Sequence, residues 1–382
     1  MNFAQQLPTN TARHYFNAIA KHGTKKLASK EIMNFAQQLP PDTARHYFNA
    51  IAKHGTKKLT TKEVLTTEVA KFTQQLGPNA AGHYFKAITQ HGTKKLTTKE
   101  FMNFAQQLPT NTARHYFKAI TQHGTEQLTT KKVIDFIQQL PPDTASRYFN
   151  AIIERGPEKL TTKEVMNFAQ QLTTDTAGEY FDAIARHGTE KLASKEVLTT
   201  EVAKFTQQLP PNTAWAWYYF RAIAQHGPEK LASKEVLTTE VAKFTQQLPP
   251  NTARQYFDAI VQHGTEKLTT PELMDFAKQL GPNAAWQYFY AIAEHGTEKL
   301  TTREVMDFAQ QLPSDTAWRY FNAIAEHGVE RLVSKGFVTG VGRVFDGFVT
   351  TEAMRSTFMD NLLTIDDRIS ERVMSQTESA SR

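Results

Sequence analysis

The chain has 382 residues, with 44 lysines and arginines, 38 aspartates and glutamates, and no cysteine. The absence of cysteine excludes disulfide frameworks, thiolate metal sites and cysteine nucleophiles, while the net charge of +6 is compatible with a polyanionic partner without requiring one. No run of about 18 apolar residues is present, which argues against a membrane partner. The first residues also lack the pattern of a secretory signal. We therefore expect a cytoplasmic protein, with delivery into a host cell left open.

A Tyr-Phe pair recurs ten times along the chain. Successive tyrosines are 32 residues apart in most cases and 37 or 39 residues apart in three. Such regularity indicates a tandem array of repeats. The pairs begin at Tyr15, Tyr47, Tyr84, Tyr116, Tyr148, Tyr180, Tyr219, Tyr256, Tyr288 and Tyr320.

Each repeat has the pattern of two amphipathic helices. In residues 27–58, apolar residues at i, i+3, i+4 and i+7 begin at Ile32 in the first helix and at Ala44 in the second. Ser29 and Asp42 are the predicted N-caps, and Gly55 the predicted end of the second helix. Because a two-helix repeat cannot bury its own stripe, the repeats must stack. We predict an all-α fold, an α-solenoid that forms a right-handed superhelix of about ten repeats.

The array is expected to cover residues 1–331. It is followed by a C-terminal capping region at residues 332–372 and a disordered polar tail at residues 373–382. Three repeats carry a five-residue insertion, which we interpret as a longer first helix. These expanded segments are residues 59–76, 192–209 and 231–248.

The two residues before each Tyr-Phe pair differ between repeats, whereas the surrounding core positions hardly change. Because second helices of a solenoid lie side by side, these residues and their exposed neighbours should form a ladder on one surface, here called the variable ladder. Arg, His, Gln and Trp contact or stack on bases, but they are also enriched at protein interfaces. The candidate nucleic-acid-binding residues are Arg13, His14, Arg45, His46, His83, Lys86, Arg114, His115, Lys118, Arg147, Trp215, Trp217, Arg221, Arg254, Gln255, Trp286, Gln287, Trp318 and Arg319.

Positive charge is concentrated near the N-terminus. Residues 1–127 contain 17 basic and 6 acidic residues, a net charge of +11, which leaves −5 for residues 128–382. Lysine pairs between the early repeats contribute to this excess and are suited to phosphate contacts, although solubility of the loops explains them equally well. These pairs are Lys25-Lys26, Lys57-Lys58 and Lys94-Lys95.

The segments Leu39-Pro40-Pro41 and Ala50-Ile51-Ala52-Lys53-His54-Gly55 resemble the second half of the octotricopeptide repeat. This resemblance implies an α-solenoid that binds RNA and reads bases with variable helix residues. A second resemblance, to the TAL-effector repeat, is carried by Leu268-Thr269-Thr270-Pro271-Glu272 and His295-Gly296. It implies DNA binding, although the loop that has Gly-Gly in that family has Gly281-Pro282-Asn283 here.

No arrangement of residues points to catalysis. Nine of the 13 histidines precede the glycine that ends the second helix, so we predict a structural role for them, and no His pair has the spacing of a zinc helix. We therefore predict a monomeric, non-enzymatic binding protein without cofactor or metal. Single-stranded RNA is the favoured partner. The alternatives are a protein-interaction scaffold, including an effector acting in a host cell, and DNA binding of the TAL-effector kind.

Overall fold

A computed structural model describes residues 7–210 and 215–327. The chain divides into two compact units, Met1–Ala193 and Ser194–Arg382, which are treated separately below. The predicted capping region and polar tail, residues 332–372 and 373–382, lie outside the described residues. No helix in the described part of the chain combines the length and the apolar composition needed to cross a membrane.

The N-terminal unit consists of helices joined by short loops and turns. Most of its repeats contain a first helix of nine or ten residues and a second helix of 14 residues. The helices are α1 (Thr9–His22), α2 (Thr24–Leu27), α3 (Lys30–Gln38), α4 (Pro41–His54), α5 (Thr67–Leu76), α6 (Pro78–His91), α7 (Lys99–Gln107), α8 (Thr110–His123), α9 (Lys131–Gln139), α10 (Pro142–Arg155), α11 (Lys163–Gln171) and α12 (Thr174–His187).

The C-terminal unit continues the same alternation, and the described residues of the two units contain no strand. Its helices are α13 (Thr200–Gln208), α14 (Trp215–His226), α15 (Thr239–Gln247), α16 (Pro250–His263), α17 (Pro271–Gln279), α18 (Pro282–His295), α19 (Thr297–Leu300), α20 (Arg303–Gln310) and α21 (Ser314–His327).

Second helices of neighbouring repeats pack against each other within each unit. In the N-terminal unit the order is α1, α4, α6, α8, α10, α12, and in the C-terminal unit it is α14, α16, α18, α21. The first helices contact one another less extensively. The predicted all-α architecture of stacked two-helix repeats is therefore confirmed within each unit.

The Tyr-Phe pair forms the core between repeats. Tyr47 is fully buried, and its ring makes edge contacts with Phe35 of its own first helix and Phe85 of the next repeat, both with ring centroids 5.2 Å apart. Its hydroxyl donates a hydrogen bond of 3.0 Å to the carbonyl of Leu59, 12 residues later. The same bond recurs in eight other repeats, so each tyrosine fixes the segment that leads to the following first helix.

The helix caps confirm part of the sequence interpretation. Ser29 caps α3, with its Oγ accepting a hydrogen bond from the Ile32 amide, and Gly55 follows the end of α4 with φ of 87°. The prediction that Asp42 caps α4 is wrong: the helix begins one residue earlier, at Pro41, and Pro40 occupies the N-cap position. Proline is favoured at the first helical position because it lacks the amide hydrogen that would have no partner there, and its φ is already helical.

The interpretation of the insertion as a longer first helix is also wrong. In the first expanded repeat, residues 61–65 form a single turn closed by the hydrogen bond from the Leu65 amide to the Thr61 carbonyl. Thr66 then adopts an extended conformation and caps α5 by accepting a hydrogen bond from the Val69 amide. The inserted sequence thus supplies a second cap, which starts the helix anew, and the extra turn buries Val64 completely.

Side chains at the end of one second helix hold the end of the next. The His22 ring nitrogen Nε2 donates to the carbonyl of Ala52 at 3.2 Å, and the ring of His263 donates to the carbonyl of Ala293 at 2.8 Å. Three further histidines make the equivalent bond 30 residues ahead. Arg155, in the same position, donates to the carbonyls of Ala185 and Arg186. These contacts confirm the predicted structural role for five of the nine histidines, His22, His91, His123, His263 and His295.

Candidate nucleic-acid interface

The variable ladder follows from the position of its residues relative to the buried tyrosines. One residue turns an α-helix by about 100°, so the residue two places before the tyrosine faces away from the core and the residue one place before lies at its edge. Arg114 is accordingly exposed and His115 is partly buried, beside the fully buried Tyr116. Because α1, α4, α6 and α8 pack in this order, the variable residues of the first four repeats lie on neighbouring helices.

Four of the predicted site residues on these helices are exposed cations with no carboxylate within ion-pair distance among the described residues: Arg13, Lys86, Arg114 and Lys118. A fifth, Arg45, has its Nε 3.4 Å from Asp42 Oδ1. Asp42 is largely exposed, and an exposed ion pair of this kind contributes little. The face therefore carries cationic groups that remain available to a negatively charged ligand.

Histidines alternate with these cations. Burial lowers the pKa of each imidazole below its usual value, and the neighbouring cations Arg45, Lys86 and Arg114 lower it further because they disfavour a second positive charge. The rings are therefore neutral at pH 7, with one nitrogen that donates and one that accepts a hydrogen bond. The histidines concerned are His14, His46, His83 and His115.

An open cleft of about 330 Å³ lies between the helices α4, α6 and α8. The glycine at position 82 stands where three other repeats of the N-terminal unit have arginine, so the helix α6 presents no side chain there. The cleft is lined by His46, Asn79, Gly82, His83, Lys86 and Arg114. Four of these are residues of the predicted site, which the fold thus brings together.

Asn79 and Gly82 belong to the cleft but were not among the predicted site residues. Gly82 carried a usable signal, since the repeat alignment places it in the variable position otherwise held by Arg13, Arg45 and Arg114. A missing side chain in a ladder of large side chains indicates an opening. Asn79, in the first turn of α6, carried no such signal.

The positive face ends at Arg147 in α10. Its Nη1 lies 3.2 Å from Glu179 Oε1 and 2.6 Å from Asp182 Oδ2, both on α12. Burial raises the pKa of Glu179, and the Arg147 guanidinium opposes that shift. The charge of Arg147 is thus compensated within the protein, which makes this candidate less available to a ligand than the cations before it.

Two of the predicted site residues are buried, so the expectation that they are exposed is wrong. Trp215 stands four residues before Tyr219, in the position held by the buried Thr43 in the second repeat, and its indole nitrogen donates to the carbonyl of Thr245 at 2.9 Å. Gln287 is 1% exposed, and its amide nitrogen donates to Asn322 of the next repeat. Both residues support the packing of the C-terminal unit.

The other candidates of the C-terminal unit make contacts with their own neighbours. The Arg221 guanidinium lies 5.9 Å from the centre of the Trp217 ring, Trp286 stacks on Tyr290 with ring centroids 5.6 Å apart, and Arg254 Nε lies 3.6 Å from Asp258 Oδ2. Gln255 is half-buried, and Trp318 and Arg319 are exposed. This part of the ladder is aromatic and charge-balanced, in contrast to the cationic first four repeats.

The described residues contain no group of three His, Asp or Glu side chains that could hold a metal ion. The chain was also compared with protein-family models, with curated proteins and with solved structures. Nothing matched in any of the three.

Proposed function

We propose that the N-terminal unit binds single-stranded RNA through the cationic part of the variable ladder. The observation that carries this proposal is the set of exposed cations without carboxylate partners on second helices of the first four repeats, Arg13, Lys86, Arg114 and Lys118. Cations held on a regular scaffold neutralise backbone phosphates, which supplies most of the affinity for nucleic acid. Such a protein would act in the cytoplasm, as a monomer and without a cofactor.

Neutral histidines favour a single strand over a duplex. A half-buried neutral imidazole offers an unpaired base a flat ring and a hydrogen-bonding nitrogen, although one nitrogen of His46 and one of His115 already bond within the protein. In a duplex the Watson–Crick edges are paired and the base faces are stacked on each other, so the rings could not stack on a base there. The octotricopeptide-like sequence of the repeats is consistent with this function.

A protein-interaction scaffold is the second candidate, favoured by the aromatic ladder of the C-terminal unit. Trp318 is 38% exposed, and Trp286 with Tyr290 presents a stacked pair of half-buried rings. Aromatic and arginine side chains are the usual anchors of protein interfaces. The two functions involve different units of the chain, so one does not exclude the other.

The test is binding of fluorescein-labelled 20-nucleotide RNA, single-stranded DNA and duplex DNA pools of random sequence at 50 and 200 mM salt. If five phosphates of a single strand are neutralised, the logarithm of the affinity falls with the logarithm of the salt concentration with a slope of about −3.5. We therefore expect the affinity for RNA to fall by roughly 100-fold between the two salt concentrations. RNA should bind more tightly than either DNA. Preference for duplex DNA would favour the TAL-like alternative, and no binding at 50 mM salt would refute nucleic-acid binding altogether.

A matched pair of variants locates the interface. Lys86→Glu with Lys118→Glu changes two exposed lysines on α6 and α8, whereas Lys71→Glu with Lys99→Glu changes two exposed lysines on the first helices α5 and α7. Both alter the net charge by the same amount. We expect the first variant to weaken RNA binding at least tenfold across sequences and the second to have a much smaller effect. Equal losses would show that binding follows net charge and not the ladder.

A further inference from the structure

The cleft beside Gly82 differs from the rest of the ladder because a side chain is missing there. Three of the first four repeats place arginine at this position, and only the third repeat has glycine. Gly82 lies inside the helix α6 and its φ is not in the left-handed region, so the backbone does not require glycine here. The glycine instead leaves room for the His46 ring, whose Nδ1 lies 2.9 Å from where a Cβ would stand.

The groups around the cleft are complementary to one nucleotide. His46 and His83 contribute aromatic rings with hydrogen-bonding nitrogens, Asn79 contributes an amide, and Lys86 and Arg114 contribute positive charge. Planar rings and amides are suited to a base, and the two cations to its phosphate. A volume of about 330 Å³ is at the lower end of ligand-binding pockets, which suits a single nucleotide better than a folded element or several residues of a peptide.

The same register occurs once more in the N-terminal unit, with an arginine in place of the histidine. Gly178 of α12 corresponds to Gly82, and Arg147 of α10 corresponds to His46. The Arg147 side chain lies over Gly178, with its Cδ 3.0 Å from where a Cβ would stand, and continues to Glu179 and Asp182. Both glycines are thus approached closely by a side chain of the preceding second helix. At Gly178 this side chain is an arginine paired with carboxylates, whereas at Gly82 it is the His46 ring, beside a cleft that also has Lys86 and Arg114.

We infer that the cleft beside Gly82 holds one nucleotide of the bound strand, with its base against His46 and His83 and its phosphate near Lys86 and Arg114. This inference rests on the proposed RNA binding. It adds that one repeat makes a specific contact with a base, because α6 has no side chain at Gly82 that would cover the His46 ring. The other early repeats contact the strand from the surface.

The decisive variant is Gly82→Arg, which restores the arginine of the neighbouring repeats and at the same time fills the cleft. An added Cβ would stand 2.9 Å from His46 Nδ1, the end of a side chain that can turn aside. The neighbouring pair of His14 with Arg45 shows that the repeats accept this combination. The variant gains a positive charge, so phosphate attraction alone would strengthen binding, whereas a blocked cleft weakens it.

The measurement is anisotropy with the labelled 20-nucleotide RNA pool at 100 mM salt, with thermal melting to confirm the fold. Loss of one base contact corresponds to roughly a tenfold loss of affinity, which we expect for Gly82→Arg. Gly178→Arg is the matched control, with the same added charge in the same register, and should bind at least as tightly as the original protein. His83→Ala, which adds no charge, should weaken binding several-fold.

The outcomes separate the two proposals. If the original protein binds RNA and Gly82→Arg binds as tightly as Gly178→Arg, the cleft is not a nucleotide site although the ladder still binds RNA. Unchanged affinity of His83→Ala would overturn the inference in the same way. If the original protein binds no RNA, both the cleft assignment and the proposed function are refuted.

Discussion

The repeated tyrosine combines an apolar ring with one buried polar contact. Its ring packs between two repeats, and its hydroxyl donates to a backbone carbonyl that has lost contact with water, as in the 3.2 Å bond from Tyr148 to Leu160. Burial also raises the pKa of the Tyr148 phenol, so the hydroxyl remains a donor at any ordinary pH. Phenylalanine would retain the packing and lose the bond.

The variant Tyr148→Phe should therefore destabilise the protein by about 1–2 kcal/mol, because the Leu160 carbonyl is left buried without its partner. Urea unfolding followed by circular dichroism measures the change. Tyr290→Phe is the control, since Tyr290 is only half-buried and water can reach its side chain. A smaller loss for Tyr148→Phe than for Tyr290→Phe would contradict the role assigned to the hydroxyl.

Residue exposure was only partly predictable from the sequence. The periodicity correctly separated core from surface for Arg114 and Tyr116, because the helix turns by a fixed angle per residue. It failed for Gln287, whose burial depends on contact with Asn322 of the next repeat. Trp215 was misassigned for a different reason: counting back from Tyr219 places it in a core position, whereas its residue type suggested a stacking surface.

At the level of helices, the choice between two possible N-cap residues determines where the first helix of an expanded repeat begins. The inserted residues preserve an apolar periodicity that is also compatible with one longer helix, which is why the sequence interpretation failed. Thr66 in an extended conformation ends that continuity and gives the helix a new start. The extra turn also changes the contact between the end of α4 and the next repeat. Lys58, and not His54, donates a hydrogen bond there, to the Gln90 carbonyl.

Deletion of residues 62–66 should convert this repeat into one of ordinary length. The remaining sequence, with Thr61 directly before Thr67, matches the cap and first turn of the other repeats. The distance from His54 to Thr89 would then be 30 residues, as between His91 and Thr121. We expect a folded helical protein in which His54 donates to the Thr89 carbonyl.

The new bond can be measured by adding His54→Ala in both backgrounds. In the original chain the substitution should have almost no effect, because the His54 ring is exposed and makes no hydrogen bond among the described residues. In the deletion background it should cost about 1 kcal/mol of unfolding free energy. Equal effects in the two backgrounds, or a deletion protein without helical structure, would refute this account of the insertion.

For the molecule as a whole, the net charge of the ladder depends on pH. The four histidines of the first repeats are neutral at pH 7 because burial and nearby cations lower their pKa values. A bound phosphate would offset the repulsion and raise these pKa values again. The charged groups that face the two histidines of the cleft are Arg45, Asp42 and His14 around His46, and Lys86, Arg114, Lys118 and His46 around His83.

We therefore expect the affinity for RNA to increase as the pH is lowered from 7.5 to 5.5 at constant ionic strength, since the complex binds more protons than the free protein. Without RNA, lowering the pH destabilises the folded protein. The histidines bind protons at a higher pH in the unfolded chain than in the folded one, so the melting temperature should fall from pH 7.5 to pH 5.5. Anisotropy and melting curves measure the two effects. An affinity that stays constant or declines at pH 5.5 would argue against phosphates near these rings.

Most side-chain-to-carbonyl bonds between successive second helices run from the earlier repeat to the later one, although Thr121 donates back to the His83 carbonyl. His22 serves the end of α4, and Thr11 serves its beginning by donating to the Pro41 carbonyl at 2.9 Å. A chain leaves the ribosome N-terminus first, so each emerging helix meets donors that are already in place. A second helix that forms after the one before it would therefore find donors for the free carbonyls of its last turn already in position.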